Sequence, residues 1–313
     1  MGERIPGVGK RVTLFNMGMD KGINCPAFHT LHWGRGCHFR CSYCYLQRTF
    51  RRLPDGKAFH EYDPKEVARH VDQWLMQPLL LPEPTAPATL NAGELVDSLM
   101  GHSNLLPGIA AQFTNHATNP HRRVLVLLTK GASDRAFQIL QYAQGAGSGL
   151  MPYSMDRIIL SATLNAPQFV HDLEVGTPPV EQRLAMLKKV KERFPEVRIR
   201  VRIDPILGAY DQGYQWLCDQ VRDLGPDLVT LGSFRLYPQD RGWFKDAKVW
   251  ASMGEADGDG RRRPGNRLRW FVDLADRLVG IRVGLCKEPN SLVAEWGART
   301  GRTTHHCNCW AGE

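Results

Sequence analysis

RVLVLLTK (123–130) followed by SDRAFQILQYA (133–143) makes one β–α unit, a strand and then a helix. The first stretch is Val/Leu-rich without polar alternation, as in a strand covered on both faces. The second changes to helical spacing, with Ser133 or Asp134 placed to cap it. Downstream the pattern repeats. RIILSATLN (157–165) reads as a strand, and VEQRLAMLKKVKERF (180–194) as an amphipathic helix with Leu184, Leu187, Val190 and Phe194 on one face. VRIRVRIDPI (197–206), GYQWLCDQVRDLG (213–225) and LVTLGSFR (228–235) read as strand, helix and strand. RWFVDLADRLVG (269–280) and IRVGLC (281–286) add a helix and a last strand. PLLLPEPTAP (78–87), QGAGSGLMP (144–152) and GEADGDGRRRPGN (254–266) read as loops, being dense in Gly, Pro or charge. The expected class is α/β, a parallel sheet with helices outside. Such barrels place chemistry at the carboxyl ends of strands. The polar residues there are Lys130, Ser161, Asn165, Arg202 and Asp204.

Upstream, HWGRGCHFRCSYCYLQ (32–47) follows a predicted strand, HTLHWG (29–34), and spaces Cys37, Cys41 and Cys44 as Cys-x3-Cys-x2-Cys. Three thiolates on one tight loop suit three irons of a [4Fe–4S] cube and leave the fourth iron open to a small molecule. A structural zinc site wants four ligands, typically from paired Cys units far apart in sequence, and fits the spacing poorly. A second group lies near the C-terminus. Cys286 closes the last predicted strand, and THHCNCWAGE (304–313) carries Cys307 and Cys309. Cys286, Cys307 and Cys309 are candidate ligands of a second iron–sulfur cluster or a zinc ion, with His305, His306 or Cys25 available as a fourth. The alternative is a frayed tail with spare thiols. Cys218 reads as a buried helix thiol.

The run Cys-x3-Cys-x-Tyr-Cys-Tyr-Leu-Gln resembles the radical S-adenosylmethionine superfamily, in particular its spore photoproduct lyase-like branch. NAGELVDSL (91–99), VLLTKG (126–131), SATLN (161–165) and EVGTPPVEQRLAML (174–187) resemble successive segments of that branch in order, so the likeness covers roughly residues 29–235. It implies a partial (βα)6 TIM-like barrel over 29–235, after an N-terminal extension (1–28) and before a C-terminal one (236–313). It implies a [4Fe–4S] cluster on Cys37, Cys41 and Cys44 that reduces S-adenosylmethionine, and a 5′-deoxyadenosyl radical that takes hydrogen from substrate. It further implies a one-electron donor such as flavodoxin or ferredoxin. By the same likeness, Tyr43 and Tyr45 match aromatics near the cofactor that relay hydrogen. Gly93 and Glu94 match a pair that contacts the methionyl amine. Lys130 and Ser161 fall where the branch contacts the methionyl carboxylate. Arg202 and Asp204 either touch the cofactor ribose or pair with each other, and Asn165 belongs to the same cofactor-binding set. One position departs from the branch, whose members carry in the segment matching NAGELVDSL a cysteine that returns hydrogen to the product radical. This chain has no cysteine between Cys44 and Cys218, and Glu94 stands there. Rearrangement, coupling or one-way abstraction is therefore expected ahead of thymine-dimer repair.

Composition bounds the rest. The chain has 313 residues, 42% hydrophobic and 23% charged, ordinary for a globular protein. No apolar run approaches the ~18–20 residues that span a bilayer. No signal peptide is evident, so no membrane association and a cytoplasmic address are expected. Forty Lys and Arg against 32 Asp and Glu give a formal charge of +8. That favours an anionic partner, a nucleic acid or nucleotide, and the basic clusters are 48–52, 121–123 and 261–269. The leading expectation is radical modification of a nucleic-acid base or nucleotide, with pyrimidine- or thymine-derived DNA the favoured case. Radical chemistry on a peptide or small metabolite, and a zinc-stabilised nucleic-acid-binding module, are the alternatives.

Overall fold

Along Arg198–Ile206 the sequence alternates, and so does the packing. Ile199, Val201 and Ile203 enter the main apolar core, while Arg200, Arg202 and Asp204 share the opposite face and are buried too. A strand covered on both sides, one apolar and one polar, separates a helix layer from an enclosed polar interior. The neighbouring strands divide the same way. Leu125, Leu127, Leu160 and Ala162 join the main core, and Val124, Val126 and Ile159 form a small cluster of their own.

The computed structural model describes residues 3–15, 22–25, 27–44, 46, 59–78, 85–146, 153–237, 240–241, 244–256 and 260–302. Its strands are β1 (Glu3–Arg4), β2 (Val12–Phe15), β3 (Ala27–Leu31), β4 (Gly34–Gly36), β5 (Phe59–Glu61), β6 (Thr85–Asn91) and β7 (Val124–Thr129). They continue with β8 (Ile158–Leu164), β9 (Arg198–Ile206), β10 (Leu228–Ser233), β11 (Met253–Ala256), β12 (Arg262–Pro264) and β13 (Val283–Leu285). The main sheet has the order β1-β2-β3-β6-β7-β8-β9-β10-β13. From β3 to β13 every pairing is parallel, whereas β1 and β2 add antiparallel at one edge. This is the mostly parallel α/β architecture that the β–α repeats predict, and among the described residues the sheet is open rather than a closed ring.

The helices are α1 (Pro64–Met76), α2 (Leu105–Thr114), α3 (Arg135–Ala146), α4 (Pro167–Leu173), α5 (Val180–Arg193), α6 (Asp211–Leu224), α7 (Ala247–Ser252), α8 (Arg267–Arg277) and α9 (Asn290–Thr300). In α5, Leu184, Leu187 and Val190 are buried, as the spacing predicts, with Phe194 just past its end. Two predicted loops differ. β6 begins inside 78–87, with Pro87 in the strand and the β3–β6 register shifting between Ala27 and His29, the kind of irregularity that accommodates a residue without an N–H. Within 254–266, β11 and β12 pair antiparallel, so the Gly-rich stretch joins two short strands.

The lead into β3 meets the chain just beyond β13. Asn24 N donates to Glu288 O at 2.8 Å, Lys287 N to Asn24 O at 3.2 Å, and Asn290 N to Gly22 O at 2.8 Å. A strap of backbone hydrogen bonds thus joins the two ends of the parallel series. No helix among the described residues is long and apolar enough to cross a membrane.

Candidate active site

The cysteine loop leaves β4, which forms a hairpin with β5. Gly36, the residue before Cys37, has φ +86°, a conformation open to glycine without strain. Trp33, just upstream, is buried and donates from its indole N to Ala92 O at 2.8 Å, fixing the loop to the end of β6. Cys44 N bonds to Cys41 O at 3.0 Å, so the second and third cysteines lie on one turn. Ser42 N and Oγ both bond to Leu173 O, at 2.8 and 3.1 Å, which ties that turn to the end of α4.

Cys41 is buried and Cys37 and Cys44 are half-buried. Burial, then the Asp97 carboxylate, pushes the Cys37 thiol up to about 12. Burial likewise raises Cys41, with Lys130 pulling the other way and Cys44 and Cys37 adding to the rise. Three thiols that feel one another's charge are a soft donor set, suited to a cluster whose irons compensate the thiolates. Among the described residues no three His, Cys, Asp or Glu side chains converge as around a single ion. A cube differs from such a site in taking its three thiolates on three separate irons. The donor set and its single-loop placement therefore fit a [4Fe–4S] cluster.

Tyr43, inside the loop, is held by a buried charge network. Its hydroxyl donates to Glu174 Oε1 at 2.5 Å, and Lys130 Nζ donates to that oxygen at 2.7 Å and to Tyr43 Oη at 2.9 Å. Arg183 Nη2 lies 2.8 Å from Glu174 Oε2 in an ion pair rather than an aligned hydrogen bond. Burial pulls the Glu174 carboxyl upward, but Lys130 and Arg183 outweigh it and hold it below its ordinary value. The Tyr43 ring meets Phe169 and Phe234 edge-on, at 5.6 and 5.4 Å. Lys130 thus reaches the cysteine loop, with its ammonium engaged by Glu174.

The end of β6 is shaped by close approach. A Cβ on Gly93 would lie 2.4 Å from Leu128 Cβ and 2.7 Å from Leu128 O on β7. Gly93 N bonds to Asn91 Oδ1, and Asn91 Nδ2 to Glu94 Oε1, which sets the Glu94 carboxylate at the strand end. Asp97, absent from the sequence-based candidates, accepts from Leu99 N, Thr129 Oγ1 and Lys130 N, and burial raises its carboxyl. Its signal in the sequence is its place shortly after Gly93 in NAGELVDSL. Glu174 escapes sequence reasoning as well, although it heads EVGTPP, because a glutamate after a helix is ordinarily solvated.

The other candidates divide. Ser161 is buried on the inner face of β8 with Ile159. Asn165 is occupied, donating to Pro205 O at 3.1 Å and accepting from Tyr214 Oη at 2.8 Å. Arg202 pairs with Asp204 at 2.5 Å, and Arg235 joins that carboxylate at 3.1 Å. Burial pushes Asp204 up, but Arg235 and Arg202 prevail and hold it at about 2. Cys286, buried, lies on this wall with its Sγ 3.7 Å from Arg202 Nη2. Tyr45, Cys307 and Cys309, with His305 and His306, lie outside the described residues.

No family model matches the chain. Uncharacterized proteins of Mycobacterium tuberculosis and Mycobacterium bovis are 26% identical over 224 residues, 70% of this chain. The match spans 62% of the length of these curated relatives. Among solved structures, spore photoproduct lyase complexed with dinucleoside spore photoproduct matches at TM-score 0.62 and 16% identity, over 88% of this chain and 80% of that one. A double mutant of that lyase, with bound AdoMet and dinucleoside spore photoproduct, matches at TM-score 0.57 and 18% identity, over 80% and 74%. A sheet of parallel strands with a three-cysteine loop at its carboxyl edge is thus built on the fold of spore photoproduct lyase.

Proposed function

We propose that this chain is a radical S-adenosylmethionine enzyme acting on a nucleic-acid base or nucleotide. The observation that carries the reading is the single loop bearing Cys37, Cys41 and Cys44, tied to strand ends on the spore photoproduct lyase fold. Cys37, Cys41 and Cys44 would hold a [4Fe–4S] cluster, which when bound would supply the electron that reduces S-adenosylmethionine and so the hydrogen-abstracting radical.

The chain's own residues bind and orient. Glu94 offers a carboxylate to the methionyl amine, and Lys130 with Ser161 answers the methionyl carboxylate. Glu174 restrains the Lys130 ammonium beside the loop and holds the proton of Tyr43 in a 2.5 Å hydrogen bond. Phe169 and Phe234 wall the Tyr43 side against water. In this reading residues 29–235 are the radical-generating unit, flanked by 1–28 and 236–313. The protein works in the cytoplasm with a flavodoxin- or ferredoxin-like donor.

The substrate class is supported by the net charge of +8 and by the dinucleoside bound in the lyase structures. In 91–99 this chain carries Glu94 and Asp97 and no thiol. Rearrangement, coupling or one-way abstraction of a pyrimidine- or thymine-derived group is therefore favoured over dimer repair. The test is anaerobic purification followed by iron and sulfide analysis, absorbance near 400 nm and formation of 5′-deoxyadenosine under reduction. A Cys37/Cys41/Cys44→Ala variant that keeps its iron and still cleaves S-adenosylmethionine overturns the reading. Zinc in place of iron selects the nucleic-acid-binding module instead.

A further inference from the structure

The wall formed by β9, β10 and β13 gathers more positive than negative charge. On β10, Val229 and Leu231 join the main core, so Thr230 and Gly232 take the inner face. A Cβ on Gly232 would lie 2.8 Å from Asp204 Cγ, which places Arg202, Asp204 and this face of β10 together. Thr230 is opposite Arg202 in register, fully buried, and its hydroxyl has no hydrogen-bond partner among the described residues. Cys286 follows β13 on the same wall, and its carbonyl accepts from Arg235 Nη1 at 2.9 Å.

Lys287 comes next, with φ +59°, a left-handed conformation that a lysine rarely adopts. Both its backbone groups are anchored: its N–H donates to Asn24 O at 3.2 Å, and its carbonyl accepts from Arg263 Nη2 at 3.2 Å. That fixed backbone aims a half-buried side chain whose electrostatic neighbours are Glu94, Cys286, Cys25 and Arg235. Among the described residues the ammonium makes no hydrogen bond or ion pair; its contact is the Phe15 ring, 5.9 Å from the centroid. The carboxylates near Arg202, Arg235 and Lys287 are Asp204, Glu94 and Glu288, and Glu288 is shared with Arg263 and Arg267, so the cations still outnumber them. A surplus cation in a partly desolvated site, on the same wall as an unpartnered buried hydroxyl that lies opposite Arg202 and Gly284, calls for an anion.

We propose that Lys287, Arg202, Arg235 and Thr230 form an anion-binding pole on the β9–β10–β13 wall, which seats a phosphate or carboxylate group of the substrate. This rests on reading the carboxyl edge of the sheet as the active site. Lys287 supplies the point charge, Thr230 a hydroxyl hydrogen bond, and the Arg202–Asp204–Arg235 pairs keep the guanidinium planes fixed.

The experiment is thermal unfolding of the full chain at constant ionic strength, with chloride exchanged stepwise for inorganic phosphate or for succinate. A ligand of the native state raises Tm with concentration. The expected result is a saturable rise with one or both anions in the wild type and in Lys287→Arg. In Lys287→Met the apparent affinity falls tenfold or more, and in the near-isosteric Thr230→Val several-fold. A phosphate-only response identifies a phosphorylated substrate group, and a succinate response a carboxylate. No anion-specific rise in the wild type, or an equal rise in Lys287→Met, overturns the proposal. Iron content and 5′-deoxyadenosine are read on the same preparations, so failure of the radical reading is seen separately from failure of the pole.

Discussion

Glu174 is the residue on which the cysteine loop and the strand ends converge. It is buried among Tyr43, Lys130 and Arg183, so removing its charge leaves the fully buried Arg183 and the half-buried Lys130 without their carboxylate. Breaking a buried pair from one side costs about 3–5 kcal/mol. Glu174→Gln should therefore lower Tm sharply, while Tyr43→Phe, which leaves the ion pairs intact, should cost far less; equal losses would mean that packing, not charge, holds the loop. His29 gives a second test. Both its ring nitrogens lack partners among the described residues, and burial, then Arg123, lowers it from 6.5 to about 4. The unfolded chain takes up this proton near pH 6.5 and the folded one only near pH 4. Stability is thus full above pH 6.5, is lost as pH falls through the interval, and is level below pH 4 for this group. The loss is about 3 kcal/mol. Denaturant titrations of the wild type and His29→Leu between about pH 7 and 4 should show a shallower slope in the variant, the difference between the two being the His29 contribution; His32 and His70, also lowered by burial, keep theirs in both.

At the scale of elements, β9 shows what can be read in advance and what cannot. Its Arg/Ile/Val alternation fixes two faces, and both are found, but alternation cannot tell solvent from an enclosed polar interior. Arg202 and Asp204 therefore read equally as cofactor ligands or as a pair. α1 is not among the elements the sequence pattern predicts, although Asp63 accepts from Lys65 N at its start and Pro64 opens its first turn. Its buried apolar residues, Val67, Val71, Trp74 and Leu75, recur at i, i+4, i+7 and i+8 on one helical face, and the Trp74 ring meets His29 of β3. The end of β6 is legible as a motif and illegible as geometry, because the contact of Gly93 with Leu128 joins strands far apart in sequence. Gly93→Ala forces Cβ into β7 backbone, an overpacking that costs about 1–3 kcal/mol. Glu94 shifts with it. The variant should keep the iron of the wild type and bind S-adenosylmethionine more weakly, measured by equilibrium dialysis; weakening absent in Gly93→Ala would remove Glu94 from the cofactor site.

Across the whole molecule, the charge of +8 is distributed differently from the sequence clusters. Arg123 of the 121–123 cluster is buried, with its guanidinium 4.5 Å over the Trp74 ring. Arg263 and Arg267 of the 261–269 cluster are buried against Glu288, which also accepts from Ser233 N and Oγ at 3.0 and 2.6 Å. Arg157, Arg198 and Arg282 gather around Asp156 and Asp227 at the amino ends of β8, β9 and β13, away from the cysteine loop. Much of the formal surplus therefore stabilises the interior or faces away from the site, and only part of it is free to neutralise a phosphate backbone. Each phosphate neutralised on duplex DNA contributes about −0.9 to the slope of log affinity against log salt. A protein that takes a nucleotide or a short flipped segment at one edge should show a slope no steeper than about −4, roughly four phosphates. Fluorescence anisotropy of a labelled oligonucleotide from about 50 to 300 mM salt measures it. A slope of about −7 would require a whole basic face on the duplex, and would return 121–123 and 261–269 to a nucleic-acid interface despite the burial of Arg123, Arg263 and Arg267.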